Sequence, residues 1–212
     1  ESALQELARA EEHTKKKFKV LSFYASMASK SKGKIDVALK GFGEILESDP
    51  HHVPSLLGMA HAYMLLQAKP KARSQLKLIK RERWNADYAD EFERAWLLLA
   101  DIYIQTGKHD MADEPLKQCL VRNKSCSKAW EYKGHIWEKD QAYVNAAECY
   151  EYAWEFSSQK QLNIGFKLAF NYLKAKRYAE SIDICHKVLE ENPAFPKIKK
   201  DIMVKARELL RV

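Results

Sequence analysis

Apolar residues along this chain fall into short stripes spaced i, i+3, i+4 and i+7, the pattern of helices that bury one face. Leu56, Ala60 and Tyr63 form one stripe, and Ala72, Leu76 and Ile79 form the next. The pair then recurs. Placing Trp96 over Trp130 also sets Ala100 on Gly134, Tyr103 on Trp137, Ala112 on Ala146, Leu116 on Tyr150 and Cys119 on Ala153, each 34 residues apart. From Leu162 onward the same template takes Ala169, Tyr172, Ser181, Cys185, Val188 and Pro193. A weaker copy from Lys19 takes Ala38, Phe42, Ile45 and Pro50. Five copies in one register predict five helix pairs.

A large residue at position 4, a small one at 8, a ring at 11, a small one at 20, and large then small or apolar ones at 24 and 27 is the pattern of the tetratricopeptide repeat. The small residues let helices A and B approach, and the large ones fill what remains. The expected fold is all-α, a solenoid of helix-turn-helix repeats forming a right-handed superhelix with a C-terminal capping helix. The units are 19–52, 53–86, 93–126, 127–161 and 162–195, preceded by a helix at 1–18 and closed by one at 196–212. In that last helix Ile198, Ile202, Ala206 and Leu209 share a face, and a polar-backed cap is what a terminal repeat requires. About six extra residues fall near "NADYAD" (85–90), in the turn between the second and third units. Pro115, just past the first turn of a helix B, should kink or delay that helix. Gly33 and Gly107 suit a left-handed residue ending helix A. The first unit has Ser22, Ser26 and Ser29 at positions 4, 8 and 11, so its helix A is poorly specified.

The stretch from Ala129 to Trp154 is dense in rings. Register assigns Trp130, Trp137 and Tyr150 to the core beside Gly134, Ala146 and Ala153. Tyr132, Tyr143, Tyr152 and Trp154 are left unclaimed, as packing between repeats or as partner contacts.

Composition changes little: 46% hydrophobic, 31% charged, with few Gly and Pro. The longest apolar run, "AWLLLADIYI", is cut by Asp101 and falls short of a membrane span. No secretory signal is visible, and Cys119, Cys126, Cys149 and Cys185 are too sparse for a disulfide scaffold, which suits a reducing compartment. The "NKS" at 123–125 is read as a chance glycosylation match. The net charge of +7 is uneven, with basic clusters at 15–19, 69–83 and 197–200. The strongest carries Lys69, Lys71, Arg73, Lys77, Lys80, Arg81 and Arg83 against one acid, Glu82. Such a surface could meet nucleic acid or an anionic membrane, the alternative to protein binding. Nucleic-acid-reading helical repeats carry a residue code that is missing here.

Candidate chemistry is sparse. "GFGEIL" (41–46) lacks the third Gly of a dinucleotide fingerprint and lies in a helix, where two small residues serve packing. No spacing of Cys and His suggests a metal, Cys119 and Cys185 fall on core positions, and no nucleophile elbow or phosphate loop occurs. No catalytic residue, cofactor or small-molecule substrate is expected. Inner-face positions 5 and 9 of the five units are Phe23/Met27, Leu57/His61, Leu97/Asp101, Glu131/His135 and Phe166/Phe170. None is the Lys or Asn that would clamp an acidic peptide tail. His61 and His135 read as surface contacts. The mixed face suits a partner helix or a folded subunit.

The strings "NKSCSKAWEYKGHIWEKDQAYVNAAECYEYAW" (123–154) and "GFKLAFNYLKAKRYAESIDICHKVLEENPAFPKIKKDI" (165–202), with the closing "KARELLR", resemble the C-terminal end of the tetratricopeptide repeat protein 21 family. That resemblance implies a non-enzymatic scaffold within intraflagellar transport complex A, acting with other subunits in retrograde transport and in cargo entry to cilia. It implies a cytoplasmic protein of the axoneme and basal body, with only indirect membrane contact. It supplies no site residues.

Overall fold

The computed structural model describes residues 2–211 of the backbone, and side chains from residue 10 to residue 211. Among these the chain is all helix. The α-helices are α1 (Ser2–Met27), α2 (Lys32–Ser48), α3 (Val53–Leu65), α4 (Lys69–Arg81), α5 (Ala89–Gln105), α6 (His109–Arg122), α7 (Ser127–Lys139), α8 (Tyr143–Phe156), α9 (Leu162–Lys174), α10 (Tyr178–Glu191) and α11 (Val204–Leu210). A 3-10 turn, Ala86–Tyr88, precedes α5, and a π-helical segment, Ile198–Met203, runs into α11. The chain divides into two compact units, Glu1–Ile102 and Tyr103–Val212. In the first, α1 packs on α2 and α3, α2 on α3, and α3 on α4. In the second, each helix from α6 to α10 packs on the next, and the C-terminal segment covers α10 and touches α9.

The repeat positions account for the core. Ala60, Ala72, Ala100, Ala112, Ala146, Ala153, Ala169 and Ser181 are all fully buried, so the small residues sit where helices meet. Ser181 keeps its hydroxyl satisfied there by donating to the carbonyl of Ala169 at 2.8 Å, across the α9–α10 contact. Tyr150, Leu116, Leu76 and Phe42 fill the large positions completely. A Cβ on Gly165 would come within 2.6 Å of Val188 and 2.8 Å of Trp154, so only a glycine admits both neighbours. Gly41 of "GFGEIL" likewise lies under the Phe23 ring, inside α2.

A shared turn joins α3 to α4, α7 to α8 and α9 to α10. The residue two before the second helix is left-handed, at Gln67 (φ 58°), Gln141 (59°) and Lys176 (64°), as is Gly107 (70°) before α6. The next amide reaches back to the carbonyl of the position 11 ring: Ala68 to Tyr63, Lys108 to Tyr103, Ala142 to Trp137 and Arg177 to Tyr172, at 2.8–2.9 Å. This closes the last turn of helix A as a Schellman motif does.

The first pair departs from the expected register. Residues 2–27 form one helix, so the separate helix at 1–18 does not exist among the described residues. Its buried residues are Val20 and Met27, with Phe23 and Tyr24 partly buried between them. Ser22 and Ser26 lie beside this stripe and bond back to carbonyls of their own helix, Lys19 and Phe23, at 2.8 Å. Lys30, with φ 52°, takes the left-handed place, while Gly33 lies in the first turn of α2. Pro115 neither delays α6, which starts at His109, nor sits near its start; it is buried inside the helix.

Two other expectations fail on geometry. Trp137 is 38% exposed, because its indole lies over a polar recess lined by His109, Asp110, Asp113, Lys133 and Asp140. Trp130 meets its core assignment in part: it is half-buried and packs against the core of the second unit, donating Nε1–H to the Lys124 carbonyl at 2.8 Å and lying 4.6 Å from the Tyr152 ring. Trp154, unclaimed by the repeat, is the buried indole at 4% exposure. At the C-terminus the wider π turns shift the helical phase, so Met203 joins Ile198, Ile202 and Ala206 in the core and Leu209 points out at 48% exposure.

Candidate protein-binding surfaces

In the first unit, α1, the start of α3, the 3-10 turn and the start of α5 enclose a cleft of about 360 Å³. Its floor is Val20, Tyr24 and Leu57; Lys17 and Arg94 stand on its rim with Asp87 and Glu91. The inserted Tyr88 closes one side. Its hydroxyl lies 3.1 Å from His13 Nε2, and its ring meets the His52 ring edge-on at 5.9 Å. The Tyr24 hydroxyl lies 3.4 Å from His61 Nδ1. Burial lowers the pKa of His61, and the Arg94 charge lowers it further, so the imidazole is held neutral. Burial also raises the Tyr24 phenol well above its ordinary range, with Glu91 adding to the effect. These groups can hydrogen-bond and pack, but they carry no charge into the cleft. His52 Nδ1 and Ser55 Oγ are 2.8 Å apart, yet both residues are buried at the start of α3, so this is a helix-start contact and not an exposed nucleophile.

In the second unit the facing surfaces of α7 and α9 are tied by polar contacts. Glu131 is buried, and its two carboxylate oxygens accept from Lys128 Nζ and Lys167 Nζ, both at 2.7 Å. Burial alone would raise the Glu131 carboxyl, but those two hydrogen bonds hold it below the ordinary carboxylate range. Asn171 Nδ2 donates to Glu138 Oε2 at 2.8 Å. Beside them, Arg177 Nη1 and the Tyr172 hydroxyl both donate to Glu151 Oε1, and the guanidinium lies over the Tyr172 ring.

The sequence-derived inner-face residues therefore separate. Leu57 is buried in the cleft floor and His61 meets α1. Phe23 and Met27 belong to the core of the first unit. Leu97 and Asp101 are half-buried on α5 and do not line the cleft. Glu131 serves internal bonding, and His135 is half-buried with its pKa lowered chiefly by burial. Phe166 and Phe170 line a recess with Lys167, Asp201, Ile202 and Lys205, and Phe166 tilts onto Phe195 at 6.0 Å, so the C-terminal segment partly covers them. Sequence reasoning missed His13, Tyr24 and Tyr88. Only the six-residue insertion hinted at the last.

The basic cluster is resolved into one helix. α4 holds six Lys or Arg and no acid, while Ala72, Leu76 and Ile79 turn inward and are buried. Lys71, Lys77, Arg81 and Arg83 are exposed; Lys69, Arg73 and Lys80 are partly exposed. All four cysteines are buried. Burial pushes the Cys149 and Cys185 thiols up to about 11 and about 12, away from reactive thiolates, while the Cys119 and Cys126 sulfurs lie within 4.8 Å of each other and of a Glu93 carboxylate oxygen.

A family model, the tetratricopeptide repeat protein 21 C-terminal ARM domain, matches residues 1–207. The chain belongs to the tetratricopeptide repeat protein 21 family. Human tetratricopeptide repeat protein 21B is 56% identical over 193 residues, covering 91% of this chain, and mouse tetratricopeptide repeat protein 21A is 46% identical over 211 residues, covering all of it. A Caenorhabditis elegans homolog of protein 21 is 39% identical over 202 residues. The chain spans about 15% of the length of these relatives. Solved structures share the fold at low identity. MamA superposes with a TM-score of 0.63 at 18% identity, over 87% of this chain and 96% of that one. YrrB, described as a TPR protein with an unusual peptide-binding site, gives 0.63 at 12% identity over 91% of each. This segment of the protein 21 family is thus a helical-repeat fold, the architecture of protein-interaction scaffolds. No helix among its described residues is long and apolar enough to cross a membrane.

Proposed function

We propose that this chain is a non-enzymatic scaffold, the C-terminal part of a subunit of intraflagellar transport complex A, and that it binds other subunits of that complex in retrograde ciliary transport and cargo entry. The observation that carries the reading is the family match over residues 1–207. In this reading the helix pairs are at work in the cytoplasm, at the basal body and along the axoneme. The accessible parts of the A helices are its contact surfaces: the cleft beside Leu57 and His61, with Leu97 and Asp101 beyond it, and the half-buried His135 with the recess of Phe166 and Phe170. Protein rather than small-molecule partners are supported by the neutral His61 beside the cleft and by Glu131, whose carboxylate is already paired by Lys128 and Lys167.

An affinity capture from ciliated cells, with this chain as bait, tests the proposal. Complex A subunits should be recovered well above a control repeat protein of equal charge. Recovery of none would overturn it.

A further inference from the structure

α4 presents a surface on which five of six cations are offset by no acid among the described residues. Among its six cations, Lys71, Arg73, Lys77, Lys80 and Arg81 form no salt bridge with another described residue, although Lys71 rests 5.6 Å from the Tyr63 ring centre. At 100° per residue, Ser74, Lys77, Leu78 and Arg81 lie at the centre of the solvent face, with Lys71 on one flank and Arg73 and Lys80 on the other. Leu78 is 42% exposed in the middle of this field. The cations recur at i, i+4 and i+7 along Arg73, Lys77 and Lys80, and Lys77 and Arg81 are again i, i+4.

We propose that this face of α4 docks an acidic helix of a partner protein, with carboxylates at helical spacing opposite Arg73, Lys77 and Arg81 and an apolar side chain against Leu78. The periodicity chooses the partner. A second helix repeats its side chains at the same interval, so one row of acids can meet one row of bases over several turns. A membrane-binding basic helix inserts its apolar face, but here Ala72, Leu76 and Ile79 are buried within the repeat. Single-stranded nucleic acid needs exposed rings for stacking, and α4 carries none. The inference rests on the scaffold reading for its biological setting, but its chemistry is tested separately.

The test is binding of this chain to four probes: a synthetic helical peptide with Glu at successive i, i+4 positions around one Leu, the same composition in scrambled order, duplex DNA, and phosphatidylserine vesicles. The ordered peptide should bind at least about tenfold tighter than its scramble. Lys77→Glu with Arg81→Glu should remove that binding while leaving the melting temperature unchanged, because both side chains are exposed. Leu78→Ser should weaken it by a smaller factor. Equal binding of ordered and scrambled peptides, tighter binding of DNA or vesicles, or an unaffected double variant would each overturn the proposal. Capture from ciliated cells with the double variant separates the two readings. Retention of complex A subunits places their contact elsewhere, and loss of all subunits by the unaltered chain defeats the scaffold reading alone.

Discussion

Trp154 and Trp137 lie on consecutive helices, and their environments are opposite. The Trp154 indole is buried between Gly165 and the α9–α10 core, while Trp137 stands half in water over a polar recess. Trp154→Ala should therefore cost about 3–5 kcal/mol by leaving a cavity that its neighbours cannot close. Trp137→Ala should cost about 1 kcal/mol or less. Denaturant midpoints of the two variants check this, and equal losses would contradict the assignment. The repeat pattern draws the distinction the wrong way round. It assigns Trp137 to the core by its position and leaves Trp154 unclaimed, but burial of Trp154 depends on the glycine that faces it from the next pair. Glu131 went astray for a related reason. A charged residue at an inner-face position reads as a contact, and only three dimensions bring Lys167, 36 positions on, to its carboxylate.

At the scale of the element, the turn between paired helices carries its own test. Gly107 adopts φ 70° without strain, whereas Gln141 adopts 59° with a Cβ that disfavours it. Gly107→Ala should destabilise by about 1–2 kcal/mol, the usual cost of a left-handed residue with a side chain. Gln141→Gly should be neutral or stabilise by up to about 1 kcal/mol, since relief of strain is partly offset by greater freedom of the unfolded chain. Chemical denaturation of both variants decides. A clear loss on Gln141→Gly would show that the glutamine side chain itself holds the turn. The helices were legible from their stripes, and Gly107 marked one left-handed turn, but the other turns were not legible, because glutamine and lysine give no signal for a left-handed backbone. The first pair was misread for a similar cause. The register carried back from Ala38, Phe42 and Ile45 put three serines on the core positions, although Val20, Phe23, Tyr24 and Met27 held the i, i+3, i+4, i+7 spacing. The closing helix was foreseen in its buried isoleucines and lost its phase where π turns replace α.

For the molecule as a whole, the shifted histidines and carboxylates, which titrate below about pH 7, mostly push stability the same way. His52, His61 and His135 are lowered, each chiefly by burial, so the folded state prefers them neutral. A group whose folded pKa is depressed contributes stability that is present above its unfolded value and lost as pH falls through the folded one. For these histidines that loss begins below the unfolded value of about 6.5. Glu131 and Asp113 are also lowered on balance, since lysine hydrogen bonds outweigh burial, and their share is lost below the unfolded carboxylate values near 4. His51 opposes the trend: its hydrogen bond with Glu82 raises its pKa, and that contribution fades as pH rises. It is exposed and screened, so the buried groups dominate. The midpoint of urea unfolding should therefore be flat between about pH 7 and 8, decline from about pH 6.5, and decline further below about pH 4.5, while above about pH 8.5 the buried thiols of Cys149 and Cys185, raised on folding, begin to lower it again. His61→Phe should remove part of the first decline without moving the second, and Glu131→Gln should do the reverse. A midpoint that rises on acidification would mean that the histidines are charged in the folded protein, against the neutral His61 that burial and the Arg94 charge enforce beside Tyr24.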